Sequence, residues 1–436
     1  MKKVINIISY VLSGLLIAIL IFGAIYFLVD RNNKRKEIPT LAEAIEKYDL
    51  PILEINGDMN GISKENKVDV KVKYHSDELN FDSNATLKWQ GASSLAYEKK
   101  NYTITFVDEL GEKNKIKVKD EWGEQSKYCL KANYIDYSSA RNVVSAKIYG
   151  DVVHSRAKDD KLNDLVNGGA IDGFPVLIYT NNSYHGLYTF NIPKDKWLFN
   201  MKSKDYKAIL MADQWSESTR LNDYISEDFL SSGWEVEYSS TEDGEGNAWV
   251  NKSFNNLIKF VKENDGDNFK ANISNYVDVD RTIDTMLYTL AINANDNLSK
   301  NILWVTYDGT TWVPSAYDLD GTWGIDSSGN LMNQADWLTL EKFASSTNTN
   351  LLWKKILTNY KQEVKVRYQE LRQSVLSFEN INQKFSNFVS QIPTEIYNFD
   401  AVLYSRIPSQ KLSDLSQILY FAQNNLKNID VEFAAL

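Results

Sequence analysis

The chain of 436 residues contains one cysteine, Cys129, and three scattered histidines, His75, His154 and His185. A single cysteine excludes an intramolecular disulfide and any cysteine-based zinc cluster. The histidines are too few and too far apart for a histidine-rich metal site, so an ion bound here would take oxygen ligands, which points to Mg²⁺, Mn²⁺ or Ca²⁺. An excess of positive charge is also missing. The net charge is -10, and a nonspecific nucleic-acid binder needs the opposite balance to displace counterions. Cysteine poverty suits the cytosol and equally a cell surface that does without disulfides. Cys129 itself, within the apolar run KYCLKANY, reads as a buried core thiol.

What is present begins with a folding composition: 12% aromatic and 43% apolar residues exclude a disordered chain, and the length suits one large domain or two lobes. The long uncharged run, Val4 to Val29, is sufficient to cross a hydrocarbon core of about 30 Å as a helix. Its flank, RNNKRKE, offers no small-x-small cleavage site, so the run reads as an uncleaved single-pass anchor in a lipid bilayer. Arg31, Lys34, Arg35 and Lys36 on one side against Lys2 and Lys3 on the other tilt the body toward the cytoplasm by the positive-inside rule.

PTLAEAIEKYDL, Pro39 to Leu50, reads as a short capped helix and linker. Alternation in KVDVKVKYH, ATLKWQG, NYTITFVDE and KIKVKD then predicts an antiparallel sheet running through Asp120. A helix is expected from about Ser138 to Val153, capped by Ser138 or Ser139. GFPVLIYTNNSYHGLYTFNI reads as a hairpin about an Asn-rich turn. Between Lys196 and Val279 helices and loops mix, with a flexible acidic piece in SSTEDGEGNA. Asp280 to Asn293 is a helix by its apolar spacing, NILWVTY and TWVPSAYDLD form a second hairpin about a DGT turn, and Asn350 to Phe433 is almost wholly helical.

The chemistry concentrates around that second hairpin. Asp296 and Asn301 stand just before its first strand, in NANDNLSKNILW, and Asp318 and Asp320 follow its second, in AYDLDGTWG. A tight hairpin brings its outer ends together, so three carboxylates and one carboxamide are expected to converge. Like charges held together raise each other's pKa unless a cation neutralises them, and a divalent ion with a neutral Asn oxygen does so. A carboxylate set back from the metal can accept the proton of an attacking hydroxyl. An acid, a four-residue gap, Asn, a hairpin and an acid is the order of a protein-kinase catalytic loop and metal site. The same residues are compatible with a Ca²⁺ loop or a surface turn at DLDG, and D-x-x-x-x-N also arises by chance in a chain rich in Asp and Asn.

Four blocks resemble the CotH family of spore-coat kinase-like proteins. NANDNLSKN, YDGTTW and AYDLDGTWG follow the family's Asp, gap, Asn, DG-turn and W-D-x-D pattern, with Tyr317 in place of the usual Trp. KWQGASSLAYEKKNYTITF resembles its G-x-S-S segment, CLKANYIDYSSARNVVSAKIY its Arg-Asn helix start, and HGLYTFNI its G-x-Y hairpin. Gln90, Ala92 and Asn191 depart from the commoner residues, which touches the nucleotide side more than the metal side.

The resemblance implies an α+β, bilobal, atypical protein-kinase-like fold with antiparallel sheets and a helical C-terminal lobe, preceded by one transmembrane helix. The expected division is an anchor and basic flank over 1–36, a linker helix over 37–50 and a domain over 51–436, with lobes of about 51–195 and 196–436. It further implies ATP with Mg²⁺ or Mn²⁺, Asp296 as the base or hydroxyl-orienting group, Asn301 as a metal ligand, Asp318 as the principal one and Asp320 as a second ligand or a structural acid. Lys100, with Lys99 as competitor, Gly91, Ser93, Ser94 and Arg141 fall on the nucleotide side, Arg141 with a structural salt bridge as its alternative. The implied partner is a protein acceptor at the surface or envelope, with phosphate passing to Ser or Thr; the family places the body outside, against the charge count. AMP transfer, glutamylation, or a non-catalytic adhesive role are the alternatives the same fold leaves open.

Overall fold

The computed structural model describes residues 2–158, 160–201, 206–240, 247–409 and 415–436. Helix α1 (Lys2–Arg35) contains a stretch, Leu15–Arg35, long and apolar enough to cross a membrane or to act as a signal sequence. Helix α2 (Leu41–Lys47) starts with a reciprocal capping box, in which Thr40 Oγ1 accepts from the Glu43 amide and Glu43 Oε2 accepts from the Thr40 amide at 2.8 Å.

The β-rich part closes on itself. Strands β1 (Ile52–Asn56), β2 (Val68–His75), β3 (Asn80–Gln90), β4 (Asn101–Val107), β5 (Lys127–Lys131), β6 (Gly173–Thr180) and β7 (Ser183–Asn191) form a closed barrel in the order β1-β2-β3-β4-β5-β7-β6. The expected sheet is therefore a barrel, and the closure is made by a parallel pairing of β1 with β6 between segments over a hundred residues apart. Alternation puts Val70, Val72, Leu87, Tyr102, Ile104, Phe106, Tyr128 and Leu130 into the interior. KIKVKD is not a strand: it makes only an isolated bridge, Ile116 to Gln125, because no neighbouring segment runs beside it for more than one residue pair.

Helix α3 (Arg141–His154) begins later than its Ser-rich approach suggests. Neither serine caps it; Asp136 does that work from upstream, its carboxylate accepting from the Arg141 amide at 2.7 Å and the Ser138 amide at 3.2 Å.

A second sheet of four antiparallel strands follows, β8 (Ala208–Ala212), β9 (Trp234–Ser239), β10 (Ile302–Thr306) and β11 (Trp312–Ala316), in the order β11-β10-β8-β9. β8 and β9 lie where mixed helix and loop was expected. The acidic run SSTEDGEGNA falls largely outside the described residues.

Helices α4 (Ala248–Glu263), α5 (Gly266–Asn272), α6 (Val279–Ala291), α7 (Leu340–Ser345), α8 (Leu351–Asn359), α9 (Lys361–Arg372), α10 (Phe378–Val389), α11 (Thr394–Leu403) and α12 (Ser416–Ala435) complete the chain. α6 is buried from Arg281 to Ala291 and delivers the chain into the Asp296 loop. α11 packs against β7 of the barrel, where Asp400 pairs with buried Lys99 at 2.5 Å and accepts from the Leu187 amide at 2.8 Å. Mixed helix and strand content fits the α+β class.

Candidate active site

Asp296 opens a short 3₁₀ turn after α6, and Asn301 and Asp318 sit at the outer ends of β10 and β11. Both take positive φ, 54° and 55°, a region that Asn and Asp tolerate better than other non-glycine residues. Their approach is held by Asn297, whose Nδ2 donates to Asn301 O at 2.9 Å and to Tyr317 O at 2.8 Å. Tyr317 N donates to Asn301 O at 3.1 Å, and Asn301 N to Ala212 O of β8 at 2.7 Å. Two residues outside the helical basin would cost free energy if unsupported, and these four hydrogen bonds supply the support.

The Asp318–Thr322 loop is fixed from the other side by the first turns of α3. Asn142 Oδ1 accepts from Leu319 N at 3.1 Å, Arg141 Nε donates to Thr322 O at 3.1 Å, and Trp323 Nε1 donates to Ser145 Oγ at 2.8 Å. Arg141 is fully buried, and its guanidinium also engages Asp136 and Gln417. Its expected phosphate contact gives way to this structural role, because the hairpin loop packs directly on the helix start.

The acids depart from ordinary carboxylates. Burial, then Asp318, push Asp320 up to about 8, with Lys131 opposing and Asp136 and Asp296 adding. Burial also raises Asp296, against the pull of Lys300, whose Nζ lies 3.6 Å from its carboxylate, and with a further push from Asp318. Among the described residues, however, no three His, Cys, Asp or Glu side chains come close enough to hold an ion by themselves. The convergence is looser than the hairpin argument alone requires.

These acids line one end of a cleft of about 830 Å³ between the outer face of the barrel and the four-stranded sheet. Its roof is the turn after β3. Gly91 has φ +121°, and a Cβ there would lie 2.0 Å from Ser94 Oγ, so the turn closes tightly only with glycine. Asn101 ties it down: Nδ2 donates to Ser94 Oγ at 3.3 Å, and Oδ1 accepts from Ala132 N at 2.7 Å, at the end of β5. Gly91, Ser93 and Ser94 all face the cleft.

The lysines are arranged differently from expectation. β4 begins at Asn101, so strand alternation governs neither Lys99 nor Lys100. Lys99 is bound to Asp400. Lys100 turns its ammonium onto Leu95 O, at 2.7 Å, and Tyr97 O, bracing the roof turn rather than reaching over it. In their place Lys131 enters the cleft from β5, 6.0 Å from the Tyr317 ring centre, and among the described residues it makes no ion pair. Lys194, 5.0 Å from the same ring, pairs with Glu237 of β9, which burial holds above the usual carboxylate range.

Residues 87–429 match a family model described as CotH kinase protein. The chain belongs to the CotH family. No curated protein matches it. The matched span runs from β3 into α12, so the CotH unit includes the roof turn, the cleft, the hairpin and the helical tail.

Kinase-like proteins use ATP and a divalent ion, and the residues fit such an ion. Asp318 presents carboxylate oxygen and Asn301 neutral oxygen to the cleft, and Asp320, raised by burial and then by Asp318, is a carboxyl that a bound cation would draw toward its charged form. Lys131, Lys194, Glu237, Asn297 and Asn142 went unread in sequence as site residues. Asn142 stood in the Arg-Asn helix start, and Lys131 carried a signal of its own: in KYCLK the alternation that buries Tyr128 and Leu130 sends Lys127, Cys129 and Lys131 to the opposite face.

Proposed function

We propose that this CotH protein is an ATP-dependent kinase that transfers the γ-phosphoryl group to a Ser or Thr hydroxyl of a protein acceptor, with Mg²⁺ or Mn²⁺, while α1 anchors it to a membrane. The observation that carries the reading is that Asp296, Asn301 and Asp318 line one cleft together with Lys131 of the barrel and a glycine-dependent turn. Phosphoryl transfer asks a protein mainly for positioning and charge neutralisation, and such a cleft is suited to both.

In this reading Asn301 and Asp318, with Asp320 beside them, hold the ion, which supplies a positive charge against the phosphate oxygens. Lys131 holds a phosphate from the barrel side, and the backbone of the Gly91–Ser94 turn covers it. Asp296 orients the acceptor hydroxyl and takes its proton; its raised pKa suits a group that must bind a proton during turnover.

The test uses the full chain in detergent micelles. ATP with Mg²⁺ or Mn²⁺ raises the unfolding midpoint, Asp318→Ala abolishes that rise, and Asp296→Ala keeps it while lowering transfer at least a hundredfold. A mass increment of one phosphate on the acceptor, rather than of AMP or glutamate, identifies the group moved. Undiminished transfer by both variants would sink the reading.

A further inference from the structure

Asp296 belongs to two cavities. Besides the large cleft it lines a second groove of about 490 Å³, walled by the Asn295–Leu298 turn and by side chains between Asp336 and Asn348. The two cavities have only Asp296 and Trp215 in common. A transferase with two substrates needs this connection: with a nucleotide in the large cleft, the base must still be reached by the group it serves, from a direction the nucleotide leaves open.

The groove is held in shape by contacts of its own. Arg220 stacks at 6.0 Å on the Trp215 ring and donates through Nη2 to Asn348 Oδ1 at 3.2 Å, which ties its two sides together. Lys342 donates to Ala335 O and, at 3.1 Å, to Trp337 O, which fixes the loop carrying Asp336 and Leu338. The wall combines neutral hydrogen-bonding side chains, Ser345, Ser346 and Asn348, with apolar Leu298 and Leu338. Two acids, Asp296 and Asp336, against one base, Lys342, which is already engaged, leave no positive field that would select an anionic small molecule. Neutral donors and acceptors beside apolar patches instead match the amides and alternating side chains of an extended peptide.

We propose that this groove receives the acceptor as an extended polypeptide segment presenting a serine or threonine hydroxyl to Asp296; the proposal rests on the phosphoryl-transfer reading above. The hydroxyl oxygen forms a bond to the γ-phosphorus, and the bond from that phosphorus to the β–γ bridging oxygen breaks. The bridging electron pair leaves with ADP, and the hydroxyl proton passes to the Asp296 carboxylate. Trp215 stands between the two chambers.

The experiment supplies the full chain with labelled ATP, Mg²⁺ or Mn²⁺, and degenerate peptide pools that each contain one central Ser or Thr. Ser345→Trp fills the groove from an exposed position, and Asp336→Lys reverses an exposed charge on its rim. Both are expected to lower kcat/KM for peptide at least tenfold, through KM, and to keep the ATP-dependent rise in unfolding midpoint. Full peptide transfer by both variants overturns the groove assignment and leaves the parent reading standing. A wild-type chain that is stabilised by ATP yet phosphorylates no pool overturns the polypeptide class. A wild-type chain that ATP does not stabilise removes the parent reading, and this one with it.

Discussion

At the scale of single residues, the cleft sets lysines that hold structure apart from Lys131, which among the described residues makes no ion pair. An ammonium that already has two carbonyls, like Lys100, or a buried carboxylate, like Lys99, would have to give up those partners to bind phosphate. Lys131 has no such partner among the described residues; its neighbours there are the Tyr317 ring and the Asp320 carboxyl. Lys131→Met, which keeps the aliphatic stem and removes the charge, is therefore expected to weaken ATP binding by about tenfold or more, since a charge-assisted hydrogen bond contributes about 1.5–3 kcal/mol. Isothermal titration with ATP and Mg²⁺ measures it. Unchanged affinity in that variant, with a loss in Lys100→Met, would return the phosphate to Lys100. The acids of the site were legible in sequence because their spacing around a hairpin is local. The lysine was not, because its position depends on which face of β5 looks toward a sheet formed a hundred residues later.

At the scale of elements, α3 acts as the bench on which the Asp318–Thr322 loop rests. Its first turn accepts from Leu319 N through Asn142 and donates to Thr322 O through Arg141, so the direction of the helix sets the position of Asp318 and Asp320. Asn142→Ala removes the acceptor and leaves a buried amide unpaired, at a cost of about 1–3 kcal/mol. The expected result is a lower unfolding midpoint together with a loss of ATP-dependent stabilisation, whereas Asn142→Asp, which keeps an acceptor oxygen, restores part of both. A midpoint loss with full ATP response would make Asn142 a stability residue only.

The hairpins of the fold were readable because their turns, NN and DGT, declare themselves within a few residues. β8 was not: AILMA is buried along its whole length, and a short apolar run without alternation carries no period to distinguish strand from helix. Barrel closure was equally silent, since the β1–β6 pairing lies in no local pattern. The helical tail was legible as helices, while the docking of α11 on the barrel rests on Asp400, an acid that its own helix gives no reason to bury.

That contact governs the whole molecule. The barrel and the helical tail are joined where Lys99 and Asp400 meet out of solvent, with Tyr184 also donating to Asp400 at 3.1 Å and Tyr137 to the Tyr397 carbonyl. Burial draws the Lys99 pKa down and the Asp400 charge pulls it up, which describes an ion pair whose desolvation cost is met only while both members are present. Removing one member should then cost about 3–5 kcal/mol by leaving a buried charge alone, and replacing both by apolar residues of similar volume should restore most of that loss. A double-mutant cycle of Lys99→Met and Asp400→Leu, followed by thermal unfolding, reads the coupling directly. If Lys99 acts as an architectural residue, as its partners indicate, the double variant keeps its ATP-dependent rise in midpoint. Loss of that rise in a well-folded double variant would place Lys99 on the nucleotide after all, and the roof of the cleft would then take its order from the tail of the chain.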